Sequence, residues 1–165
     1  MLRIALVGDS HLTDTSARPV LKLGPRLRAL GHDVQTLARG GLDTRQALLD
    51  PSVVGVDWII YSFGTNDAAP WKQIPPSEFA QNYSSLLARH GGVAQLVLGP
   101  PPVVESGVIG GRTNALVREY TQIALRTAHE HGAICVALAD HLLAADLAED
   151  GVHLNDAAYT TITQL

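Results

Sequence analysis

The sequence predicts a three-layer α/β/α domain on a five-stranded parallel sheet, and three observations carry that prediction. Five short apolar runs recur along the 165 residues, at 2–7, 34–38, 58–63, 93–98 and 133–138, each about the length of a buried strand. Segments with helical periodicity lie between them. The runs are apolar on both faces, as strands are when helices cover both sides of their sheet. Right-handed crossovers then make the flavodoxin-like order 2-1-3-4-5 the expected one, with 1–165 forming a single domain.

Each element has its own local reason. The first strand, 2–7, runs out at Gly8-Asp9. The segment 19–30 repeats Val20, Leu23, Leu27 and Leu30 and stops at Gly31; Pro25 inside it either kinks the helix or begins it. Strands at 34–38 and 58–63 lead into Gly40-Gly41 and Gly64. A helix over 77–89 enters through Pro75-Pro76-Ser77 and carries Phe79, Tyr83, Leu86 and Leu87 as its apolar stripe. After the strand at 93–98 and Pro100-Pro101-Pro102, a helix over 113–131 places Leu116, Tyr120, Ile123 and Ala124 on one face, with Gly132 as its stop. The last run, 133–138, holds Cys135, which is expected as a buried core thiol.

Composition narrows the function. With 46% hydrophobic and 17% charged residues the chain is globular rather than disordered. Twelve basic against 16 acidic side chains leave a formal charge of −4, only two of the cations are lysines, and the arginines are scattered. Neither nucleic acid nor an anionic membrane is an expected partner. A single cysteine excludes an intrachain disulfide and a thiolate zinc cluster. No run approaches the roughly 20 apolar residues of a membrane helix, and the first residues lack the features of a signal peptide. Membrane insertion is not expected, and a cytoplasmic location is.

In a sheet of this order ligands sit beyond the C-terminal strand ends, beside the first strand. The chain puts Gly8-Asp9-Ser10-His11 after strand 1, Gly40-Gly41-Leu42-Asp43-Thr44 after strand 2 and Gly64-Thr65-Asn66-Asp67 after strand 3. Strands 2 and 3 flank strand 1, so Ser10, the Gly41 N–H and the Asn66 amide converge. A hydroxyl with neutral donors beside it is equipment for acyl transfer, a nucleophile with an oxyanion hole. A serine needs a base and the base an orienter. Asp150-Gly151-Val152-His153 offers both within one turn of chain, provided that 140–149 leads back across the top of the sheet from its edge.

These four blocks, in this order from Gly8 to His153, resemble those of the SGNH (GDSL-like) hydrolase family of serine esterases and lipases. The resemblance implies the SGNH-hydrolase fold and assigns roles. Ser10 is the nucleophile, and its own N–H, the Gly41 N–H and Asn66 are the oxyanion donors. His153 is general base and then acid, Asp150 orients it, and Asp9 and Asp67 support the site. Two departures stand out. His11 follows the serine where the family has a hydrophobic residue, and the second block offers Gly40 as well as Gly41; the distance to Asp43-Thr44 favours Gly41.

The function so implied is hydrolysis of short-chain, acetyl-like acyl esters of small molecules through an acyl-enzyme, with no metal or organic cofactor. The modest length leaves little room for a lid, so the site is expected to be shallow and open, with Trp71 and the loop 100–111 bordering the acyl pocket. Three alternatives compete. Asp9-Ser10-His11-Leu12-Thr13 partly resembles the Asp-x-Asp-x-Thr loop of haloacid-dehalogenase-like phosphatases, which would make the protein a metal-dependent phosphohydrolase; His11 in place of the second Asp argues against it. The others are a non-catalytic SGNH-fold binding module and a serine acyltransferase. Of the remaining histidines, His32 and His90 are expected as surface caps, and His129 and His131 face different ways on a helix. His141 beside Asp140 is a second candidate for the base.

Overall fold

The computed structural model describes residues 1–16, 18–72, 74–106 and 111–165. Five strands, β1 (Arg3–Gly8), β2 (Asp33–Thr36), β3 (Trp58–Ser62), β4 (Ala94–Gly99) and β5 (Ile134–Ala137), form an all-parallel sheet in the order β2-β1-β3-β4-β5, as predicted. The helices are α1 (Leu23–Ala29), α2 (Thr44–Ala47), α3 (Pro76–Arg89), α4 (Asn114–Glu130) and α5 (Asp156–Gln164). Pro25 lies in the first turn of α1, where its missing N–H costs no helical bond, so the helix begins there and is not kinked.

Strand alternation sorts the core into two layers. Ala5, Ile59, Tyr61 and Val97 point to the face covered by α3 and α4, whose stripes bring Phe79, Tyr83, Leu86, Leu87, Tyr120, Ile123 and Ala124. Ile4, Leu6, Ile60 and Leu98 point the other way, against Leu23 of α1 and Ala158, Tyr159 and Ile162 of α5. Neither α2 nor α5 follows from the apolar periodicity. The first is a single turn capped by Asp43, and the second is held by an Asn155 cap that accepts the Ala158 N–H.

Two burial expectations are corrected. Cys135 is exposed, because β5 is a sheet edge that among the described residues pairs only with β4, and its first two residues stand outside the helical cover. His90 is buried rather than a surface cap. Its Nε2 accepts the Val53 N–H at 2.9 Å, so Nδ1 carries the hydrogen facing Tyr61 Oη at 2.7 Å and the Leu86 carbonyl at 3.1 Å. Burial lowers the His90 pKa from its ordinary value. No helix among the described residues is long and apolar enough to cross a membrane.

Candidate active site

The site begins where β1 ends. A Cβ on Gly8 would lie 2.4 Å from the Ser62 carbonyl oxygen, so only glycine lets β1 and β3 approach this closely. The Asp9 N–H then donates to Ser62 O at 3.2 Å, and Leu12 N–H to Asp9 O at 3.1 Å, closing the turn that presents Ser10. Lys22, buried just before α1, donates from Nζ to the Ser10 carbonyl at 2.5 Å and to Thr13 Oγ1 at 2.7 Å. Burial lowers the Lys22 pKa, against the attraction of Asp9 and Asp14.

After β5 the chain does return across the strand ends, through single 3-10 turns at Leu138–Asp140 and Ala144–Asp146. An isolated antiparallel bridge pairs Leu147 with Leu154, both buried. Ala148 N–H donates to His153 O at 2.7 Å, and Val104 N–H reaches Gly151 O at 2.8 Å. Gly151 turns the loop at φ 72°, a left-handed conformation that suits glycine. This closed loop delivers His153 to Ser10 across 143 residues, with Ser10 Oγ 3.0 Å from His153 Nε2. His153 Nδ1 in turn lies 2.8 Å from Asp150 Oδ2.

Asp150 is held from four sides. Its Oδ1 accepts the Val152 and His153 N–H groups at 3.0 and 2.9 Å, and its Oδ2 takes Arg18 Nη1 at 2.8 Å as well as the histidine. Burial works against the charge, yet these donors outweigh it and hold the carboxyl well below the usual carboxylate range. His141 and Asp140, the second candidate pair, are both exposed, and Asp140 lines a different cavity with Pro102 and Leu142.

The loops after β2 and β3 are tied to each other. Asp67 Oδ1 accepts the Thr44 N–H and hydroxyl at 3.0 and 2.5 Å, and its Oδ2 accepts the Gly64 N–H at 3.2 Å. Burial raises its pKa to about 6 in spite of those donors. Asn66 gives one Nδ2 hydrogen to Leu42 O at 3.0 Å and accepts Arg112 Nη2 on Oδ1 at 3.3 Å. Its amide orientation is thereby set and one Nδ2 hydrogen remains. Gly40 and Gly41 both leave their N–H groups without a partner among the described residues; Gly41 has φ 74° and adjoins the Leu42 that holds Asn66.

Ser10 and His153 open on a cleft of about 650 Å³ lined also by Thr13, Thr15, Ser16, Arg18, Lys22, Gly40 and Asp150. All its lining residues but Gly40 carry polar or charged side chains. Trp71 is not among them; it is exposed and lies 4.7 Å beneath the guanidinium of Arg112. Of the loop 100–111, residues 107–110 fall outside the described residues. Asp9 does not face the cleft as a phosphatase nucleophile would: it is 1% exposed and its Oδ1 is bonded to His11. Among the described residues no three His, Cys, Asp or Glu side chains converge as metal ligands.

Four residues at the site carry no signal in the motif spacing: His11, Arg18, Lys22 and Arg112. His11 reads only as a departure from the family pattern, and Arg18 meets Asp150 across 132 residues. Arg112 is buried, donates to the Thr65 carbonyl at 2.6 Å, and sits in the loop before α4.

A three-layer parallel sheet with a serine, a histidine and an aspartate linked at its C-terminal strand ends defines an SGNH-type hydrolase. The chain belongs to the GDSL-like Lipase/Acylhydrolase family, whose model matches residues 6–161, and so is a carboxylic ester hydrolase. Its fold is similar to that of a lipase/acylhydrolase from Enterococcus faecalis, with TM-score 0.84, 22% identity and coverage of 99% of this chain and 92% of that one. It is similar too to an acetylxylan esterase from Geobacillus stearothermophilus, with TM-score 0.75, 18% identity and coverage of 99% and 91%. Variants of that esterase described as catalytic mutants carry alanine in place of a serine or of a histidine. An α/β hydrolase from the metagenome of Lake Arreo, Spain, matches with TM-score 0.72 and 18% identity over 98% of this chain and 91% of that one. No curated protein matches the chain in sequence.

Proposed function

We propose that the chain, acting as one unit over 1–165, hydrolyses short-chain, acetyl-like esters through an acyl-enzyme on Ser10. The observation that carries this reading is the continuous line from Ser10 Oγ to His153 Nε2 and from His153 Nδ1 to Asp150, at 3.0 and 2.8 Å. Asp150 holds the hydrogen on Nδ1, which leaves a lone pair on Nε2 for the serine proton. His153 takes that proton as Ser10 Oγ attacks the ester carbonyl, and returns it to the leaving alcohol as the C–O bond breaks. It then deprotonates the water that releases the acid and restores Ser10. Developing charge on the carbonyl oxygen is met by the N–H groups of Ser10 and Gly41 and by the remaining Nδ2 hydrogen of Asn66. The polar and charged side chains that line the cleft support a short acyl group on a hydroxyl-rich molecule. The acetylxylan esterase likeness agrees with that preference.

Three experiments test the reading. A fluorophosphonate probe is expected to label Ser10, and p-nitrophenyl esters to be cleaved fastest at acetyl to butyryl, falling toward decanoyl, unaffected by EDTA. A rate that climbs to decanoyl would overturn the short-chain preference, and activity lost to EDTA would favour the metal-dependent phosphohydrolase. Asn66→Ala is expected to lower kcat by about 10²–10³-fold with the far-UV circular dichroism spectrum unchanged. A drop of less than tenfold would remove Asn66 from the oxyanion hole.

A further inference from the structure

His11 is an imidazole buried directly behind the nucleophile, at 2% exposure. Its Nδ1 lies 2.9 Å from Asp9 Oδ1, and its Nε2 lies 3.1 Å from the Val152 carbonyl oxygen. Asp9 Oδ1 already accepts the His11 N–H at 2.9 Å. A neutral imidazole has one N–H and one bare lone pair, and a lone pair aimed at a carbonyl or a carboxylate oxygen is repelled. Both ring nitrogens here face acceptors, so both are donors when Asp9 is ionised.

We propose that His11 is a positioning residue: a buried imidazolium, paired with Asp9, that clamps the Val152 carbonyl and so ties the nucleophile turn to the loop bearing His153. The proposal rests on the reading of His153 as the general base. The ring centroids of His11 and His153 are 6.1 Å apart. Asp9 and Lys22 flank His11 on the nucleophile side, and Asp150 and Arg18 stand on the histidine side. From α5, the Tyr159 hydroxyl donates to the His11 carbonyl at 2.7 Å. Burial opposes protonation of His11 and Lys22 adds repulsion, but the attraction and hydrogen bond of Asp9 prevail and raise its pKa.

The clamp acts on the backbone, one residue before His153. A merely space-filling side chain would hold neither contact. The clamp has its own signature on the ring, where one hydrogen is held by Asp9 and the other by the Val152 carbonyl.

The test starts with the wild-type protein. ¹⁵N–¹H correlation spectra of the imidazole rings are expected to show both His11 nitrogens protonated at pH 7.5; a single protonated nitrogen overturns the proposal. In His11→Gln, kcat for p-nitrophenyl acetate is expected to fall by about tenfold with KM nearly unchanged. An unchanged kcat, or a loss carried by KM, overturns it. Fluorophosphonate labelling of wild-type Ser10 separates the two readings: no labelling means that the acyl-enzyme reading itself has failed, whereas labelling with an unchanged kcat in His11→Gln sinks only the clamp. Should His11→Gln not fold, the ring spectra of the wild type still decide.

Discussion

Replacing Ser10 with alanine is expected to lower kcat/KM for p-nitrophenyl acetate by roughly 10⁴–10⁶-fold, leaving the fold in place. The side chain makes its one hydrogen bond among the described residues to His153, so its loss costs stability only about 1 kcal/mol. Activity has no such reserve. Asp9 is buried and bonded to His11, and the one hydrogen of the Thr13 hydroxyl is shared between the Ser10 and Thr15 carbonyls while its oxygen accepts from Lys22 Nζ, so no neighbouring group replaces the nucleophile. The N–H of residue 10, Gly41 and Asn66 persist in the variant, and the residue of activity that remains would reflect their polarisation of the carbonyl. Stopped-flow hydrolysis together with thermal unfolding checks both halves. A loss below 100-fold with an unchanged Tm would mean that acyl transfer does not pass through Ser10.

Asp150→Asn is expected to lower kcat by roughly 10³–10⁴-fold. Two backbone N–H groups, of Val152 and His153, demand an acceptor at Oδ1, so an asparagine would place its oxygen there. Its NH₂ would then face His153 Nδ1 and Arg18. Two donors cannot satisfy each other, and the ring responds by moving its hydrogen to Nε2, which leaves no lone pair for the Ser10 proton. The pH response is equally directed. The folded-state pKa of Asp150 is depressed below its unfolded value, so its contribution to stability is present above that value and lost as the pH falls through the folded pKa. Between pH 5 and 8 the carboxylate stays charged, and a decline of rate in that window belongs to other groups. A titration of kcat in the Asn variant that retained more than a tenth of wild-type activity would remove Asp150 as the orienter.

Much of this architecture is legible in the sequence, and the reason is physical. Every strand is a short apolar run bounded by Gly, Pro or a polar loop, and the five runs match the observed strands to within two residues at each end. Ser10, Asn66 and His153 stand out as candidates because parallel sheets concentrate their chemistry at strand ends, where motif blocks interrupt the apolar pattern. Burial at the sheet edge is not legible. An apolar pattern does not distinguish a central strand from β5, hence the misplaced Cys135, and a histidine past a helix end looks alike whether it meets water or, as His90 does, Tyr61. Nor does spacing show which distant side chains a loop will meet. Arg18, Lys22 and Arg112 acquire their roles only once the chain has closed.

The separation between Ser10 and His153 bears on how the protein is made. A pair 143 residues apart forms no productive contact during most of synthesis or refolding, and closure over such a span is the slow, late kind of event. Ser10 leaves the ribosome 143 residues ahead of His153. Tyr159, which secures the His11 carbonyl from 148 residues away, arrives later still. On the proposed mechanism, a chain in which these two residues have not met displays an ordinary, unactivated serine hydroxyl, and hydrolytic power switches on only with their contact. Regain of esterase activity during refolding would accordingly time the final docking step rather than the formation of the sheet.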